Sequence, residues 1–163
     1  IAFKESIEIV KLIFDISNEK KINCFFNFKP HPSMDFYKIK QIFRDNWPIN
    51  FQCVEGDFTE RLMESDILIG NASSTCMESL ALGIPVIIIG SQSDLSQNPI
   101  PVAITNKIWK LAYTSDEIST CIEGFLNLGH FEIEELSVIM KKIKEEYFEP
   151  VTKENVRFFL KLN

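Results

Sequence analysis

Five short, almost wholly apolar runs punctuate this chain, at residues 23–28, 49–54, 66–70, 85–90 and 108–113, and longer stretches with helical periodicity lie between and around them. A strand that is apolar on both sides has to be covered on both faces. Parallel strands joined by crossover helices do this, so the expected fold is α/β: a doubly wound, mostly parallel sheet with helices on both faces and further helices at the carboxyl end.

The helical stretches carry their own punctuation. Phe3, Ile7, Val10 and Phe14 repeat at helical spacing, with Lys4, Glu8, Lys11 and Asp15 on the other side, which predicts a helix over 3–17. Phe36, Ile39, Ile42 and Phe43 predict a second over 35–45, broken by Pro48. Asp57 with Glu60, and Thr114 with Glu117, have capping-box spacing and open helices that run to about 65 and 128. Gly83 and Gly129 follow helical stretches and are expected to terminate them, the first closing a helix over 73–82. Two amphipathic segments, 131–147 and 152–162, complete the chain, while 91–101 is too polar and too rich in Ser, Gln, Asn and Pro for a helix and reads as a loop.

With 163 residues, 45% of them hydrophobic, the chain suits a single domain. A net charge of -6 argues against a nucleic-acid backbone or an anionic membrane as main partner, because both require a basic face. Cys24, Cys53, Cys76 and Cys121 are widely spaced inside regular segments, as expected of reduced thiols in a cytoplasmic protein. No apolar run is long enough to span a bilayer. The sequence begins at Ile1 inside an amphipathic pattern, which suggests a fragment of a longer, two-domain chain.

In a doubly wound sheet, ligands bind beyond the carboxyl ends of the strands, which directs attention to the loops at 29–34, 55–58, 70–75 and 90–101. The first holds Lys29 and His31 and the third leads into Ser73, Ser74 and Thr75 at a helix start. Unpaired N–H groups and hydroxyls there can receive a phosphate, and the dipole adds about 0.3–1 kcal/mol. An imidazole can donate a hydrogen bond to a phosphate oxygen and protonate it as a leaving group departs.

The run Lys29-Pro30-His31-Pro32 at a strand end, followed by Ser65-Asp-Ile-Leu-Ile-Gly-Asn-Ala-Ser-Ser-Thr-Cys-Met-Glu-Ser-Leu-Ala-Leu-Gly-Ile-Pro-Val86, resembles the C-terminal domain of GT-B glycosyltransferases. Within that group it is most similar to bacterial sialyltransferases, polysialyltransferases and CDP-glycerol polymer transferases. The resemblance implies a Rossmann-like domain that binds the donor nucleotide, with a CMP-, CDP- or UDP-activated sugar as partner. It makes His31 the catalytic candidate, with Ser73, Ser74, Thr75 and Lys29 around the donor phosphate. An acidic residue would hold the ribose, at Glu55 or Asp57 by one pattern and at Glu78 by another. The acceptor site and catalytic base would lie in a missing N-terminal domain. The full-length protein would then be a glycosyltransferase of surface polysaccharide biosynthesis, and this part alone would turn nothing over. The relatives also have a strand ahead of residue 3, which this sequence does not show. No cofactor, metal or nucleic acid is implied, and membrane association would be peripheral and through the full-length protein.

Plainer roles stand beside these. Thr75 with Glu78 has capping-box spacing, Asp57 suits a helix cap, Lys29 suits a solvated sheet edge, and His130 reads as an exposed loop residue without a partner cluster. Gln92, Ser93, Asp94 and Gln97 give the polar loop a weak claim on donor or acceptor. Competing functions are a UDP-sugar 2-epimerase-like domain, against which the expected Ser-Gly-Gly pattern is missing at 73–78, and a non-catalytic nucleotide-binding module.

Overall fold

A computed structural model describes residues 2–18, 22–31, 36–43, 47–90, 98–148, 150 and 152–161, the side chains of 2–6, 36 and 131 excepted. The elements follow in the order α1 (Ala2–Asn18), β1 (Phe26–Phe28), α2 (Phe36–Phe43), β2 (Phe51–Cys53), α3 (Phe58–Met63), β3 (Leu68–Gly70), α4 (Thr75–Ala81), β4 (Val86–Ile89), β5 (Trp109–Ala112), α5 (Ser115–Leu126), α6 (His130–Tyr147) and α7 (Lys153–Phe159). The fold is α/β, and every described strand pair is parallel.

β4 shows why the apolar runs need two covered faces. All of its residues are buried, and they alternate between two cores. Val86 and Ile88 join Cys76 and Leu80 of α4 and Leu136, Met140 and Ile143 of α6. Ile87 and Ile89 join Val10, Ile13 and Phe14 of α1 and Ile118, Ile122 and Phe125 of α5. This period-two split is what a strand imposes on its side chains, and each buried isoleucine stabilises the fold by about 1.5–3 kcal/mol. α2 lies with α1: the Phe14 ring stands 4.5 Å from that of Phe43, 4.8 Å from Trp47 and 4.8 Å from Phe51.

The strands are shorter than the runs that encode them. At β1 the reason is local, since the Asn50 side-chain amide donates to the Cys24 carbonyl at 2.9 Å and ladder pairing begins only at Phe26. Gly83 adopts φ +87 and closes α4 as expected, its N–H donating to Leu80 and that of Ile84 to Ser79. The Thr114 and Glu117 capping box forms in full. Gly129 departs from expectation. With φ -74 and ψ 165 it is extended and caps the start of α6, its N–H donating to Glu132, while α5 ends earlier at Asn127. His130, expected in a loop, is instead the first residue of α6; it is exposed as expected, with Nε2 3.6 Å from the Glu134 carboxylate.

The parallel strands fall into two ladders, β1-β2 and β3-β4-β5. One core nevertheless spans both, since Phe26 and Phe28 pack against the same cluster as Ile67 and Ile69. Burial holds the Cys24 thiol above its usual value, and the Asp66 carboxylate adds to the rise. Among the described residues no helix is long and apolar enough to cross a membrane.

Candidate functional site

Parallel pairing sets which loops share a rim. The Val54 N–H donates to the Phe28 carbonyl at 2.9 Å, so the segment from Lys29 to His31 leaves β1 beside Glu55, which leaves β2. On the second ladder, Gly70 pairs in register with Ile88, so the turn into Ser73 leaves at the same rim as Gly90. Across the two ladders, Phe28 of β1 and Ile69 of β3 pack against one core cluster.

At the first loop Lys29 is half-buried and His31 exposed. The Cys53 thiol reports the charge of this corner: burial raises its pKa most, the Glu55 carboxylate adds to the rise, and the Lys29 ammonium opposes it. Pro32 and residues 33–34 lie outside the described residues, as do Gln92, Ser93, Asp94 and Gln97 of the polar loop.

The three acidic candidates separate by how their carboxylates are used. Asp57 is the N-cap of α3 and accepts from the Thr59 and Glu60 amides at 2.8 and 3.1 Å, which commits it to the helix. Glu55 is exposed, and it is its main-chain carbonyl, not its carboxylate, that accepts from Arg61 Nε at 3.0 Å. Glu78 sits half-buried in the first turn of α4, and among the described residues its carboxylate has no hydrogen-bond partner.

The capping box between Thr75 and Glu78 does not form. The Cys76 amide already donates to the Ser73 carbonyl at 3.1 Å, and Ser74 is helical at φ -57, ψ -27, so Thr75 is inside the helix and not its cap. The spacing 75 to 78 therefore joins the first and fourth helical positions, where a cap side chain has no role. Ser74 is exposed, and its hydroxyl makes no capping bond. Ser73 Oγ makes only a long contact, 3.4 Å, from the Thr75 amide. The end of α4 thus offers two serine hydroxyls that the helix uses weakly or not at all. Each charge-assisted bond from such a group to a phosphate contributes about 1.5–3 kcal/mol.

Two rim residues escape a reading by motif. Arg61 reaches back from α3 so that its guanidinium lies against Gly56, at φ +100, and it pairs with Glu64 at 2.9 Å. Its only sequence signal is its place four residues after a cap. Tyr113, at the end of β5, lays its ring over Gly90, where a side chain would collide with it. Two cavities lie away from the rim. One of about 280 Å³ is lined by Lys11, Phe14, Asp15 and Phe43, and one of about 500 Å³ by Lys110, Cys121, Phe125 and Glu135. Among the described residues no three His, Cys, Asp or Glu side chains gather as a metal site. Compared with known proteins, the chain matches no family model and no curated sequence.

Proposed function

We propose that this chain is the donor nucleotide-sugar-binding half of a glycosyltransferase, or glycerophosphotransferase, of surface polysaccharide biosynthesis, taking a CMP-, CDP- or UDP-activated donor. The observation that carries the reading is the start of α4, where the Ser74 hydroxyl makes no cap bond and Ser73 only a long one, while Lys29 and His31 follow β1 of the other ladder. Folding gains little from leaving cap hydroxyls unspent, since a serine cap is worth about 1 kcal/mol. A phosphate ester would use both hydroxyls, the amides beside them, and the imidazole of His31 as donor and, at departure, as acid.

The ribose falls to Glu55 or Glu78 before Asp57, whose carboxylate is already held by two amides. The cytoplasm is the fitting compartment, since activated nucleotide sugars are spent there on acceptors presented by a second domain. Calorimetric titration of CMP, CDP, UDP and UDP-sugars tests the reading. Binding of at least one nucleotide, weakened about tenfold or more by Ser74→Ala and by His31→Ala, supports it, each lost charge-assisted bond being worth about 1.5–3 kcal/mol. Equal affinity in all three proteins rejects it.

A further inference from the structure

Among the described residues the ladder β3-β4-β5 ends at β5, and its two faces belong to different cores. α5 joins one core through Ile118, Ile122 and Phe125, and α6 joins the other through Leu136, Met140 and Ile143. Leu128, in the turn between these helices, packs against both. Beside that turn the helices leave the cavity of about 500 Å³, with Lys107 and Lys110 on the strand side, Cys121 and Phe125 on α5, and Leu136 on α6. Lys107 precedes β5, so the cavity lies toward the amino end of that strand, whereas Gly70 and Gly90 stand at the carboxyl ends of theirs. It is separate from the donor site proposed above.

Gly124 lines this cavity from the last third of α5. Its backbone is helical, so no left-handed conformation calls for a glycine, and a Cβ built on it would meet no atom within 4 Å. A glycine inside a helix is destabilising relative to alanine, because it loses more chain entropy on folding. Neither conformation nor packing asks for it here. What the missing Cβ leaves is a patch of bare helix backbone on the cavity wall beside Phe125, which a planar group can approach closely.

Charge marks the other end of the cavity. Lys107 pairs with Glu135 at 2.7 Å, and Glu132 accepts from the Gly129 N–H at 2.8 Å. Lys110 is half-buried, and among the described residues no carboxylate pairs with its ammonium. Its charge reaches the α5 wall, where it opposes the rise that burial gives the Cys121 thiol. An ammonium partly withdrawn from water attracts an anion more strongly than an exposed one does.

We propose that this cavity is a binding site for a small planar aromatic carboxylate, whose ring lies on the Gly124 backbone among Phe125, Leu128 and Leu136 and whose carboxylate meets the Lys110 ammonium. Small-molecule pockets usually span about 300–1,000 Å³ and combine an apolar lining with a few placed polar groups, and the cavity has both properties. A flexible chain would make little use of the bare backbone, whereas the face of a ring covers it.

Calorimetric titration of the chain, of Gly124→Ala and of Lys110→Met with naphthoate and with its neutral counterpart naphthamide tests the proposal. Wild type should bind naphthoate saturably, with a Kd at or below about 1 mM, and naphthamide about tenfold more weakly, since a charge-assisted hydrogen bond is worth about that factor or more. Lys110→Met should abolish the preference for the acid. Gly124→Ala should weaken both ligands about tenfold while melting at or above the wild-type temperature, which separates loss of the site from loss of the fold. Bound naphthoate should also slow alkylation of Cys121, read thiol by thiol in a mass spectrometer, and leave Cys24 and Cys53 unaltered. No saturable binding, equal affinity in Gly124→Ala, an undiminished preference in Lys110→Met, or protection of Cys24 in place of Cys121 would overturn the proposal. So would a Gly124→Ala protein less stable than wild type, which would make the glycine a requirement of packing.

Discussion

The Ser79 hydroxyl donates to the Ile84 carbonyl at 3.0 Å while the Ile84 amide donates back to the Ser79 carbonyl at 3.0 Å, so two residues hold each other across the Gly83 turn. Ser79 is fully buried, and its removal strands a buried carbonyl. Ser79→Ala should lower unfolding free energy by about 1–3 kcal/mol in urea titrations. Ser119, also buried, has a hydroxyl without a partner among the described residues. Ser119→Ala should therefore be neutral or stabilising, and a loss as large as that of Ser79→Ala would contradict this reading.

Thr114 and Glu117 cap α5 reciprocally: the Glu117 amide donates to Thr114 Oγ1 at 3.2 Å and the Thr114 amide to the Glu117 carboxylate at 3.1 Å. Either Thr114→Ala or Glu117→Ala should cost about 1 kcal/mol, with the double variant costing less than the sum. Strict additivity in denaturant melts would show that the box is not a coupled unit.

Burial pushes the Cys76 thiol above its ordinary value of 9.0, more than the opposing backbone hydrogen bonds lower it. The folded protein then keeps a proton that the unfolded chain releases, so the unfolded state binds fewer protons and stability falls with rising pH. The contribution is complete below 9.0 and is lost as pH climbs through the raised folded value. Cys24, Cys53 and Cys121 are shifted in the same direction. Wild type should lose stability between about pH 8 and pH 10 more steeply than Cys76→Ala, by linkage. Identical slopes would deny the shift.

Gly90 ends β4 with its N–H donating to the Ala112 carbonyl at 2.9 Å, and a Cβ at this position would land on the Tyr113 ring. Gly90→Ala should displace that ring and destabilise by about 1–3 kcal/mol, as overpacking does. Tyr113→Ala in the same background should recover part of the loss, and no recovery would place the cost elsewhere.

Much of this fold is legible in the residues themselves. Val86 to Ile89 is an unbroken apolar run because the strand feeds two cores, and Gly83 marks a helix end because only a residue at ease with φ +87 closes the turn. Other features depend on neighbours that local spacing cannot register. Gly129 looks like a terminator but is extended, because Asn127 has already ended α5 and Glu132 draws the glycine into the next cap. Thr75 and Glu78 have the right separation for a box, yet the helix starts before Thr75. The division of the sheet is a matter of which edges meet, and short-range periodicity carries no trace of it. At the candidate site, Lys29, His31 and the serines are visible as types at strand ends. The ranking of Glu55, Asp57 and Glu78 emerged only from what each carboxylate already holds.

Backbone amide shifts followed during titration with CMP and CDP address the anion site most directly. Saturable, concerted movement of the His31, Ser74 and Thr75 amides, lost in Ser74→Ala, is the outcome that a shared phosphate between the two loops requires. Movement at only one loop, or at neither while nucleotide binds elsewhere, would contradict it.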